Sequence, residues 1–177
     1  AVGFPALDFM LYGLASSDVE LINKYNNQAD GQDYKNYISL LINQMKSNTE
    51  TVLNDWSISF RDEFITSTEN SASSAVNKFV NDFIYYFEKG LRANKIGIPA
   101  GNFSSTPLPH TVEGYYIRET SKDLTLEALN AFQNLFNGTH YNTNDSGVGF
   151  KDYLNYLDRN DLVNLINNQL DEARAKI

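Results

Sequence analysis

The sequence predicts an all-α protein, a bundle of about four long helices with one further helix at its start. Apolar residues recur every three or four positions through most of the chain, the period of a helix with one buried face. No stretch alternates apolar with polar residues as a half-buried strand would. Stop signals at Lys95 to Gly101 and at Asn137-Gly138 close two of the periodic stretches.

The first helix occupies the opening residues, where Gly3 and Pro5 stand ready to start it and Phe4, Leu7, Leu11 and Leu14 recur at helical spacing. Asp8 is the one acid in this apolar run. From Asp33 the positions Tyr34, Tyr37, Ile38, Leu41, Met45, Val52, Leu53 and Trp56 define one face of a long helix that extends toward Phe64. The next begins near Ser71, runs through Val76, Phe79, Val80, Phe83, Phe87 and Leu91, and ends where two glycines and a proline fall between Gly97 and Gly101. The stretch from Asn102 to Thr111 is too irregular for an element and reads as a functional loop or a crossover.

A third long helix starts at Ser121, with capping hydroxyls at Thr120 and Ser121 and Asp123 in its first turn. It stops at Asn137-Gly138. Leu126, Leu129, Phe132 and Phe136 fall on one side and Leu124, Ala128, Ala131 and Leu135 on another, so contact on more than one side is expected. A polar turn over Asn142 to Gly149 leads to a short helix from Phe150 to Leu157 and a last one carrying Leu162, Leu165, Ile166, Leu170, Ala173 and Ile177.

Composition limits the chemistry. At 177 residues the chain buries roughly 70% of its unfolded surface as one domain, so no staple is required. The absence of Cys removes thiol catalysis, thiolate zinc sites and disulfides, and leaves the compartment open. No apolar run approaches the roughly 20 residues that span a bilayer. A net charge of −8, with no cluster among the fourteen Lys and Arg, argues against a nucleic-acid partner. Abundant Asn and 13% aromatics fit a sugar- or protein-binding surface or, at helical spacing, a core.

Metalloprotease, nucleophile-elbow, phosphate-loop, dinucleotide and EF-hand signatures are missing. His110 and His140, the two imidazoles, sit in separate loops. Asp8 has two readings. A buried carboxylate needs a cation, a donor network or a proton, whereas near the end of a first turn it meets its own helix's dipole and amides. Glu113, beside Gly114, Tyr115 and Tyr116, either lines a polar pocket or is a solvated loop acid. The sequons at Asn102, Asn137 and Asn144 read as chance matches in an Asn-rich chain.

Three blocks together resemble the imelysin-like family, also called the M75 peptidase family, which is related to periplasmic components of bacterial iron uptake. They are Gly3-Phe4-Pro5-Ala6-Leu7-Asp8-Phe9-Met10-Leu11-Tyr12-Gly13, then Lys95-Ile96-Gly97-Ile98-Pro99-Ala100-Gly101, then Val112-Glu113-Gly114-Tyr115-Tyr116 running into the helix that ends at Phe136-Asn137-Gly138. The resemblance implies two bundle-like helical halves with a Gly-x-His-x-x-Glu motif near their junction. Gly3 matches the Gly, Pro5 stands at the His position and Asp8 at the Glu position. Proline offers no ligand, and one carboxylate does not make the three-ligand open site of a zinc hydrolase.

The family motif normally follows an N-terminal half preceded by a secretion or lipoprotein signal. The expectation is therefore that residues 1–177 form one helical-bundle domain, the C-terminal part of a longer two-half protein, with the N-terminal half as partner of the first helix. By the resemblance its location is the periplasm or an outer-membrane lipoprotein of a bacterium.

The leading expectation is a non-catalytic envelope binding protein with Gly3, Asp8, Glu113 and Tyr116 at its ligand site and no catalytic residue. Asp8 and Glu113 are the candidate metal ligands, since oxygen donors suit iron(III), calcium or magnesium. The cofactor is unknown from the sequence, and the resemblance offers a metal ion such as iron. The alternative is an M75-type metallopeptidase, which requires Asp8, Glu113 and His110 to converge. A further alternative, a glycan- or protein-binding surface protein, requires an exposed aromatic platform.

Overall fold

The computed structural model describes residues 2–117, 119–143 and 145–177. The protein is all-α. Among the described residues strand pairing is limited to one isolated bridge between Thr139 and Ser146. The contacts divide the chain into two compact units, one formed by residues 1–86 with 113–118, the other by 87–112 with 119–177.

In the first unit α1 spans Gly3–Asp8 and continues as wider π-type turns over Phe9–Gly13. Ala6 and Met10, four residues apart on one face, are buried. α2 (Asp18–Asn27) and α3 (Gly31–Asp55) pack on one another, and α1 packs on α3. The approach of α2 to α3 is close enough that a Cβ on Gly31 would stand 2.5 Å from the Tyr25 carbonyl oxygen. The Tyr25 hydroxyl donates to the Met10 carbonyl at 2.6 Å, which ties α2 to the first helix, and burial pushes this phenol's pKa up.

α3 runs on through π-type turns at Trp56–Phe60 into α4 (Arg61–Thr66), as the sequence predicts for one long helix. Trp56, Phe60 and Phe64 stack along it at four-residue intervals, and Phe64 meets Phe79 of α5 (Ala75–Tyr85) edge-on with ring centroids 5.9 Å apart. The N-terminus of α5 is closed by Ser67, whose Oγ accepts from the Ala75 N–H at 3.0 Å.

The second unit begins with Phe87 in the π-type turns of Tyr86–Gly97. A 3₁₀ turn at Pro109–Thr111 follows, then α6 (Ser121–Asn137), α7 (Phe150–Tyr156) and α8 (Asn160–Lys176), each close to its predicted bounds. Leu91, Leu129, Phe132, Phe136 and Leu170 form its core, and Phe87 packs on Phe132 at 4.9 Å between centroids. α6 ends at Gly138, whose φ of +69° is the left-handed cap that glycine adopts without a Cβ clash. The second face of α6 is not covered as expected, because Leu124 and Leu135 remain exposed.

Between α6 and α8 the packing is polar. Asn137 and Asn167 exchange side-chain amide hydrogen bonds at 2.9 and 3.2 Å. Gln133 donates to Asn167 at 3.0 Å and to Asp171 at 3.1 Å, while Arg174 reaches Gln133, Asn130 and Asp171. These side chains satisfy one another, which a part-buried polar seam requires. Among the described residues no helix is long and apolar enough to cross a membrane.

Candidate functional site

The sequence leads to Asp8, and the structure shows what surrounds it. Asp8 is the last residue of α1, and the turns that follow keep it in helical geometry at φ −54° and ψ −50°. Its half-buried carboxylate faces the segment 113–118, which belongs to the same unit. The backbone N–H of Tyr116 donates to Asp8 Oδ2 at 3.0 Å, and the N–H of Ile117 donates to Oδ1 at 2.8 Å. Two successive amides therefore converge on one anion, the arrangement by which backbone turns hold negative groups. Of the two readings open for Asp8, the donor network is the one observed; the amides it meets lie 108 and 109 residues away rather than in its own helix.

The segment is seated by two further features. Tyr116 meets Phe9 edge-on at 5.2 Å between centroids, and Tyr115 meets Tyr116 at 5.1 Å. Gly13 opens the space for this ring, since a Cβ there would lie within 2.6 Å of Tyr116 Cγ. The turn into the segment uses Gly114 at φ +69°, a conformation that side chains other than Asn and Asp rarely adopt.

Of the predicted site residues, Asp8 and Tyr116 are brought together, through the Tyr116 amide and not its phenol. Gly3 begins α1 at φ +70°. Glu113 lies exposed at the start of the 113–118 segment. His110 sits exposed in the Pro109–Thr111 turn of the second unit. His140 is exposed in the turn after α6, where its backbone N–H donates to the Asp145 carbonyl at 3.0 Å. Phe9, Gly13 and the Ile117 amide are not among the candidate site residues the sequence offers. Gly13 left a trace, as a glycine inside an apolar helical run marks a close approach.

A shallow apolar groove of about 530 Å³ runs along α3 beside Asn48, Thr49, Val52, Leu53 and Trp56, and none of the predicted site residues lines it. Several tyrosines stand in solvent, with Tyr141 and Tyr156 at 80% and 84% exposure, on different elements and without ring partners in the described contacts.

The family model for imelysin, peptidase family M75, matches residues 1–177, the whole chain. The protein belongs to the imelysin family. No curated protein and no solved structure gives a significant match. The resemblance read from the sequence sets Gly3, Pro5 and Asp8 at the positions of a Gly-x-His-x-x-Glu motif, and the donor set of this imelysin chain can be tested against a resident catalytic metal. Pro5 has no side-chain donor atom, and Asp8 supplies a single carboxylate. Among the described residues no group of three or more His, Cys, Asp or Glu side chains is placed to hold a metal ion. A three-ligand site with an open position does not fit these residues.

Proposed function

We propose that this imelysin-family chain belongs to a non-catalytic binding protein of the bacterial envelope, periplasmic or lipoprotein-anchored, serving iron uptake. Its cargo is an iron species or a small polar ligand held by oxygen donors at Asp8 and Glu113, beside Gly3 and Tyr116. Family membership supports the imelysin-type role and the envelope location. The observation that carries the non-catalytic reading is at the motif itself, where Pro5 replaces the imidazole and Asp8 is engaged by two amides. A carboxylate has about four lone-pair sites, so each Asp8 oxygen keeps capacity for a second partner after its amide bond. Binding survives that geometry better than hydrolysis does, because cargo capture needs oxygen donors and no activated water.

The test is metal analysis and titration calorimetry on the full-length protein with ferric ion and calcium, comparing wild type with Asp8→Ala. Saturable binding by wild type that Asp8→Ala lacks is expected. Equal heats from both proteins, or none from either, overturn the ligand site. The M75 peptidase reading predicts cleavage of a denatured protein substrate that a chelator abolishes, and no such cleavage is expected.

A further inference from the structure

We propose that Asp8 is a positioning residue, a latch whose carboxylate fixes the strap 113–118 on the first helix. The strap is short and its neighbours in the chain, up to Val112 and from Glu119, belong to the other compact unit. The geometry shows what holds these residues to the first helix. Both oxygens of one carboxylate accept from successive backbone amides at 3.0 and 2.8 Å, and hydrogen bonds to an ionised acceptor are roughly twice as strong as neutral ones. The Phe9 edge contact and the space left at Gly13 then set the Tyr116 ring against the same helix.

The pairing is specific to a carboxylate. Asparagine has the same shape, yet it presents one carbonyl oxygen and an NH₂ group that would face an N–H donor. Glutamate keeps two equivalent acceptors on a longer stem. A role limited to filling space would treat Asn as neutral and Glu as disruptive, and a latch reverses that order. The strap carries Glu113 and Tyr116, so the latch places the proposed ligand residues without itself needing a ligand. It stands independently of the proposed cargo.

Amide hydrogen exchange on the ligand-free full-length protein, resolved by NMR or by overlapping peptides, tests it. In wild type, protection is expected at Tyr116 and Ile117 and not at Tyr115; uniform unprotected exchange from Gly114 to Ile117 overturns the latch without any variant. Asp8→Asn is expected to speed exchange at Tyr116 and Ile117 by about tenfold, with α3 amides near Leu41 unchanged, and Asp8→Glu to restore most of the protection. Unchanged exchange in Asp8→Asn, or equal loss in both variants, overturns the latch. A cargo experiment that finds no ligand leaves these rates where they are, so the two failures are distinguishable.

Discussion

A carboxylate that accepts two amides and a glycine that admits a ring act on the same six-residue strap from opposite chemical sides. The first is directional and depends on charge, and the second is purely steric. Gly13→Ala isolates the steric part. Its Cβ would press on Tyr116 Cγ, Cδ1 and Cε1, and overpacking of this kind costs about 1–3 kcal/mol. The expected outcome is a lower urea midpoint, largely recovered when Tyr116→Ala is added, because removing the ring removes the clash. A double-mutant cycle measures it, and strict additivity would contradict the close approach. Asp171 offers a contrast in the second unit. The Gln133 amide and then the Arg174 guanidinium hold its carboxyl below the ordinary range. A depressed folded-state pKa stabilises the fold above the unfolded value, and that contribution is lost as pH falls through the folded value. The urea midpoint of wild type should therefore drop on acidification from about pH 5 toward pH 2 more steeply than that of Asp171→Asn.

At the scale of elements, α2 shows what a weak apolar pattern conceals. It has no fully buried residue, and Val19 and Ile22 face solvent, so apolar periodicity passes over it. Its start is nonetheless written in Ser17-Asp18-Val19-Glu20, a serine followed three residues later by glutamate. The Ser17 hydroxyl oxygen accepts from the Glu20 N–H at 3.3 Å, with Asp18 and Glu20 in the first turn. Because that bond is long, Ser17→Ala should cost about 0.5 kcal/mol, the low end for a cap. Faster amide exchange confined to Asp18 to Asn27 would check it. The long helices were legible because apolar residues recur at helical spacing from Tyr34 to Trp56 and from Leu126 to Phe136. The π-type turns at Phe9–Gly13, Trp56–Phe60 and Tyr86–Gly97 were not, since one extra residue per turn shifts a face without breaking its pattern. The site was legible in half. Asp8 announces itself as an acid in an apolar helix, whereas its partners are backbone amides of Tyr116 and Ile117, which no side-chain pattern encodes.

For the molecule as a whole, what matters is whether its two buried sets respond as one. The first unit buries Ala6, Met10 and Leu41, and the second buries Leu91, Leu129, Phe132, Phe136 and Leu170. Leu129 is 1% exposed on α6, and truncating such a leucine removes transfer energy and leaves a cavity, a loss of about 2–5 kcal/mol. The reading from the sequence is one domain over residues 1–177, while separate buried sets are what independently opening regions require. Leu129→Ala discriminates between them. If the units open separately, amide protection falls throughout α6, α7 and α8 and stays at its wild-type level in α3 and at the strap amides of Tyr116 and Ile117. If the chain is one cooperative domain, protection in α3 falls by the same factor as in α8. The separate outcome is expected, because α6 packs on α7 and α8, and the strap's bonds are made to Asp8 within the first unit.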